Sequence, residues 1–116
     1  MSTPYNPCLI WLLSIITASM VTVFASFYPK KDKAEEVRNI LSAMVEPTRA
    51  ESGNKTYDLY SMKSESNEET FHLFEIYDGK EALEFHRGTE HYKNYRANIV
   101  QHLIKPIEVK VLNQIK

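Results

Sequence analysis

Apolar residues along the chain alternate between two spacings, every second position and every third or fourth, and the switches divide it into elements. The run Met20-Val-Thr-Val-Phe-Ala-Ser-Phe-Tyr28 is rich in β-branched and aromatic residues and stops at Pro29, which predicts a first, buried strand. Asp32 with Glu35 three positions on has the form of a capping box, aspartate replacing the usual Ser or Thr, and opens a helix. Val37, Ile40, Leu41, Met44 and Val45 fall on one face of that helix, opposite Glu35, Glu36, Arg38 and Asn39. Proline inside a regular helix costs about 3 kcal/mol. The stretch from Glu46 through Pro47 to Ser52 is therefore expected as a kinked last portion or a separate short turn, ending at Gly53.

Lys55 to Lys63 and Thr70 to Tyr77 read as two strands of a hairpin, joined across the polar stretch Ser64-Glu-Ser-Asn-Glu-Glu69. In the second strand Phe71, Leu73, Glu75 and Tyr77 share one face and His72, Phe74 and Ile76 the other, so neither face is simply polar. One face should meet the domain's own helices, the other the sheet of a second copy, since a single chain of this length has nothing else to cover it. Asp78 with Glu81 repeats the capping signature and opens a short helix through Leu83, Phe85 and His86, which Gly88 ends. Thr89 caps the following helix, where Tyr92, Tyr95, Ile99 and Leu103 recur on one face, and Pro106 bounds it. Ile107 to Leu112 alternates as a final half-buried strand. The order β-α-β-β-α-α-β is a split βαβ pattern with its second helix broken in two, an α+β ferredoxin-like fold. It implies a four-stranded antiparallel sheet with helices on one face.

Composition narrows the partners. At 116 residues the chain holds one core, and 43% hydrophobic with 25% charged residues describes an ordinary globular protein. A net charge of −1 leaves no basic field for a polyanion, so nucleic acid is not an expected partner. Cys8 alone cannot close a disulfide within the chain or build a thiolate metal cluster. Three glycines are too few for a loop that cradles a pyrophosphate.

Cys8 to Phe27 carries no charge and approaches the roughly 20 residues of a membrane span. Its second half, however, is the first strand. Residues 1–19 are left as an apolar extension of signal-segment length that ends in Ala18 and Ser19 and has no Lys or Arg before it. Three readings stand: a weak export signal, a start placed upstream of Met20, or an added element packed on the domain or its partner. Membrane contact is expected only if this segment is kept as an anchor. The domain over 20–116 is otherwise expected in the cytoplasm, or exported if residues 1–19 act as a signal.

Four segments carry a family resemblance: Val45-Glu-Pro-Thr-Arg-Ala-Glu-Ser-Gly53, Tyr57-Asp-Leu-Tyr60, Leu73-Phe-Glu-Ile-Tyr-Asp78 and Glu84-Phe-His-Arg-Gly-Thr-Glu-His-Tyr-Lys93. In this order and spacing they resemble the antibiotic biosynthesis monooxygenase (ABM) family over nearly all of 20–116. The resemblance implies a dimeric α/β barrel, two ferredoxin-like domains joined through their sheets. It is most similar to quinol monooxygenases, which implies cofactor-independent oxygenation of a quinol or polyphenolic compound by molecular oxygen. The run from Phe85 to Lys93 is also similar to an isomerase of a phosphorylated diketone, the autoinducer-2 processing type. A non-catalytic dimeric ligand-binding or stress module is a third reading, because one fold hosts many functions. Haem-degrading members use a Trp and a His on these helices; Trp11 is the only tryptophan here, and the matching positions hold His86 and Arg96, which demotes that reading.

Oxygenation of this kind needs a dry pocket, a base that ionises the substrate, and a partner for the resulting oxyanion. His86 lies near the carboxyl end of its helix, where the dipole favours imidazolium, and His91 in the first turn of the next, where neutral imidazole is favoured. On that reading His91 is the base and His86 the electrostatic partner or proton donor. Glu75, pointing inward on a central strand, ranks third, because a buried carboxylate must be paired, protonated or functional. Tyr60, Tyr77 and Tyr95, with Tyr57 and Tyr92, are candidates to line a pocket for an aromatic ligand, and Arg49 to meet a substrate anion. His86, His91 and Glu75 would make a two-histidine, one-carboxylate metal set only if they converged. No metal or cofactor is expected.

Overall fold

A computed structural model describes residues 19–116, so the readings of the apolar segment up to Ala18 lie outside the described residues. Strand β1 (Val21–Phe27) leads to helix α1 (Ala34–Arg49), then β2 (Asn54–Lys63), β3 (Glu69–Tyr77), α2 (Lys80–Arg87), α3 (Glu90–Ile99), a 3-10 turn (Val100–His102) and β4 (Glu108–Leu112). The strands form one sheet in the order β2-β3-β1-β4, every neighbouring pair antiparallel. This is the expected ferredoxin-like α+β arrangement. Among the described residues no helix is long and apolar enough to cross a membrane.

Register decides which residues meet the helices. Val23 pairs with Glu75 and Glu75 with Tyr57, while Ala25 pairs with Leu73 and Leu73 with Leu59, placing all six on the helix-covered face. There Phe27, Val37, Leu41, Met44, Phe71, Leu73 and Ile99 form the main core. Each such fully buried side chain stabilises the fold by roughly 1.5–3 kcal/mol. A smaller cluster of Val23, Tyr77 and Leu83 seats α2.

The opposite face is open. Phe24, Phe74 and Ile76 are half-buried there, and Tyr60, Met62 and Leu112 are exposed. Among the described residues, only one of the two faces is covered. His72 also lies on this face, its ring nitrogens each 2.9 Å from a hydroxyl, Ser26 Oγ and Thr70 Oγ1, and its ring stacked on Phe24.

Helix ends depart from the sequence reading in instructive ways. Neither capping box forms: Asp32 takes a left-handed φ of 67°, and α1 starts behind Lys33 with no side-chain cap. Aspartate tolerates that region, and the tight turn out of β1 uses it. Asp78 pairs with Lys55 at 3.5 Å while Gly79 stands at the start of α2. Pro47 lies inside α1, which runs unbroken to Arg49. Its ring removes one hydrogen bond, and Met44 and Thr48, both buried on either side of it, hold the last turn in place. Thr89 caps α3 as expected, its hydroxyl accepting from the Tyr92 N–H at 3.2 Å.

Gly53 is required by a close approach. A Cβ there would sit 2.5 Å from the Cβ of Ala82. The Gly53 carbonyl accepts from the Asp78 N–H at 2.8 Å. The turn after α1 is thus clamped against α2.

Candidate functional site

That clamp brings three polar side chains together beneath the helices. Glu51 sits in the turn after α1, where its N–H donates to the Thr48 carbonyl at 3.0 Å and its own carbonyl accepts from the Asn54 N–H at 3.1 Å. His86 occupies the last turn of α2 and His91 the first turn of α3. Between them Thr89 ties the junction, its hydroxyl donating to the His86 carbonyl at 2.7 Å. One oxygen of Glu51, Oε2, accepts from His86 Nδ1 at 2.9 Å and from His91 Nε2 at 2.6 Å. The other, Oε1, is buried with no hydrogen-bond partner among the described residues.

His86 is 1% exposed and packed among aromatic rings, with centroids at 5.9 Å for Tyr57, 5.2 Å for Tyr77 and 5.0 Å for Tyr92. Burial pushes its pKa below the ordinary 6.5; the Glu51 carboxylate opposes this and nearby His91 adds to it. At this residue burial works against the helix dipole. An exposed helix end is worth about 0.3–1 kcal/mol, whereas complete burial penalises the charged ring more strongly. Burial therefore favours the neutral imidazole at His86. His91, with 26% of its side chain exposed, is the solvent-facing member.

Beside His86 a narrow cleft opens between α2, α3 and the β4 edge. Its volume of about 20 Å³ has room for little more than one water molecule. Glu75, His86, Tyr92 and Tyr95 line it, together with Arg87 and Arg96. The Tyr77 hydroxyl donates to Glu75 Oε1 at 2.6 Å. Burial raises the Glu75 carboxyl from 4.5 to about 7, opposed by the Tyr77 bond and the Arg87 charge. Arg96 donates to the Tyr92 hydroxyl at 2.7 Å. The wall thus combines a neutral imidazole, a carboxyl that titrates near neutrality, aromatic rings and two guanidinium groups.

Comparison with known proteins places this chain in a family. Residues 20–98 match the antibiotic biosynthesis monooxygenase family. The chain belongs to that family. It is 46% identical over 94 residues to a Mycobacterium tuberculosis protein named "Putative monooxygenase Rv0793", spanning 81% of this chain and 90% of that one. It is 32% identical over 90 residues to Bacillus subtilis "Putative monooxygenase YcnE", spanning 78% and 93%. The solved structure of Rv0793 superposes with a TM-score of 0.77 at 44% identity, covering 84% of this chain and 97% of that one.

In this antibiotic biosynthesis monooxygenase member the expected residues fall into three groups. His86 and His91 come together, their centroids 6.1 Å apart, but through Glu51, which sequence reasoning passed over. A glutamate two residues before a glycine reads as a solvated turn. Glu75, Tyr77 and Tyr95 gather around the cleft and its floor. Tyr60 and Arg49 stand apart: Tyr60 is 56% exposed on the open sheet face, and Arg49 donates to the Tyr57 carbonyl at 3.1 Å and to Asp58 Oδ1 at 3.0 Å. Glu51 also takes the place considered for Glu75 beside the two histidines.

Proposed function

We propose that this protein is a monooxygenase that oxygenates a quinol or polyphenolic compound with molecular oxygen, using His86 as the base. The observation that carries the reading is His86, held by Glu51 from behind, on the wall of an aromatic cleft that has to widen from about 20 Å³ to admit a ring. With Nδ1 donated to Glu51, Nε2 is the nitrogen left to accept a proton, and the carboxylate steadies the imidazolium that results. A phenol near 10 and an imidazole near 6.5 differ by about 3.5 pH units, so at least roughly 5 kcal/mol of phenolate stabilisation has to come from binding. Hydrogen bonds to charged groups contribute about 1.5–3 kcal/mol each. Arg87 and Arg96 together are of the required size.

The electrons come from the substrate. A quinol and one O₂ give a hydroxyquinone and one water: one oxygen atom enters the ring, the other is reduced to water, and the ring carries the oxidation. No further reductant is needed. The isomerase reading relied on Arg49 for a phosphate, and the engagement of Arg49 with Tyr57 and Asp58 leaves it with less support.

An oxygen electrode with a panel of quinols tests the assignment. Uptake of one O₂ per hydroxyquinone formed is expected, and a panel that yields neither uptake nor product overturns it. The same proposal includes a homodimer, the open face of one sheet covered by that of a second copy, supported by the half-buried row of Phe24, Phe74 and Ile76. Light scattering should then return twice the 13.5 kDa chain mass, and a monomer mass at micromolar concentration would remove the pairing.

A further inference from the structure

We propose that Glu51, His86 and His91 also form a binding site for a divalent transition-metal ion of the zinc class. Two imidazole nitrogens and a carboxylate oxygen lie within 4.8 Å of one another, each supplied by a different part of the fold. The turn after α1 gives Glu51, the end of α2 gives His86, and the start of α3 gives His91. The Gly53–Ala82 contact and the Thr89 bond to the His86 carbonyl hold these three parts in register.

A second observation points the same way. Glu51 Oε1 is buried and has no hydrogen-bond partner among the described residues. Leaving a buried acceptor unsatisfied costs about 1–3 kcal/mol, and a cation held by both carboxylate oxygens gives Oε1 the partner that hydrogen bonding does not. Two imidazoles and one carboxylate are the donor set of open, three-ligand zinc centres, whereas magnesium and calcium prefer all-oxygen shells.

Distances set what must move. Bonds of about 2.0–2.1 Å to a tetrahedral ion place neighbouring ligand atoms ~3.3 Å apart. The two nitrogens stand 2.9 and 2.6 Å from Glu51 Oε2, so the cluster has to open by roughly half an ångström as the N–H bonds give way. His91 can supply that movement, because its side chain is 26% exposed, and the same exposure gives the ion its way in. Metal binding here does not depend on the reaction proposed above. If that reaction holds, an ion on Glu51 and His86 withdraws the base, so the metal acts as an inhibitor.

Calorimetric titration of the metal-free protein with Zn²⁺ alone, and visible absorption on adding Co²⁺ alone, test the site. One ion per chain is expected, with the d–d bands of a four- or five-coordinate cobalt centre. His91→Ala and Glu51→Gln should each weaken binding at least tenfold, while His72→Ala, on the open sheet face, should leave it unchanged. His91 lies at the surface, so its variant keeps the fold, as the circular dichroism spectrum would verify. Absence of saturable binding in the wild type overturns the proposal. So does equal affinity in wild type, His91→Ala and Glu51→Gln.

Discussion

Glu51→Gln should lower kcat for a quinol substrate by on the order of 10²–10⁴-fold, the range associated with losing a positioned general base, while leaving KM nearly unchanged. In the wild type a single oxygen serves two imidazole N–H groups. A carboxamide offers one acceptor oxygen and one amino group in its place. If the amino group faces His86, the ring must carry its proton on Nε2, the nitrogen that has to be empty to take one from substrate. If the oxygen faces it, the tautomer survives but the imidazolium loses its neutralising charge. Both outcomes strike the same step. His91→Ala should cost much less, below about tenfold, because His91 touches the carboxylate and not the cleft. Steady-state oxygen uptake separates kcat from KM, and wild-type kcat in Glu51→Gln would move the base elsewhere, to Glu75 first.

The second large effect concerns stability. Glu75 keeps its proton in the folded protein up to about 7 but releases it near 4.5 when burial is lost. Its stabilising contribution is therefore complete below about 4.5, declines as pH rises through that window and is gone above about 7. At roughly 1.4 kcal/mol per pH unit, the loss is on the order of 3 kcal/mol. Glu75→Gln keeps an acceptor for the Tyr77 hydroxyl and never ionises. Urea unfolding from pH 4 to 8 should show wild type losing ground to the variant by about that amount, most of it between pH 5 and 7. Parallel profiles for the two proteins would mean that Glu75 enters the fold already charged and neutralised by Arg87.

Sequence reasoning reached the fold because strand and helix spacing in this chain are locally decided. The alternation of Phe71 to Tyr77, the helical face of Val37 to Met44 and the cap at Thr89 each report a local choice that tertiary structure then keeps. Helix starts were less legible, because Asp32 can cap a helix or enter a left-handed turn, and the chain path out of β1 selects the turn. The site divides along the same line. His86 and His91 declare themselves by residue type. Glu51 does not, since its burial comes from α2 closing over a turn whose own sequence is polar. The direction of the His86 shift is illegible for a related reason: a dipole can be read from position in a helix, but the depth of burial cannot. Tyr60 reads as a pocket tyrosine by residue type, and strand register turns it to the other face.

Gly53 and Ala82 have space between them for a single methyl group. Among family members the two positions should therefore trade volume, a larger residue at one accompanied by glycine at the other. A lineage that enlarges both must lift α2 from the turn, and with it separate His86 from Glu51. Covariation at two apolar positions would then record which descendants have kept the Glu51–His86 contact and which have let it go.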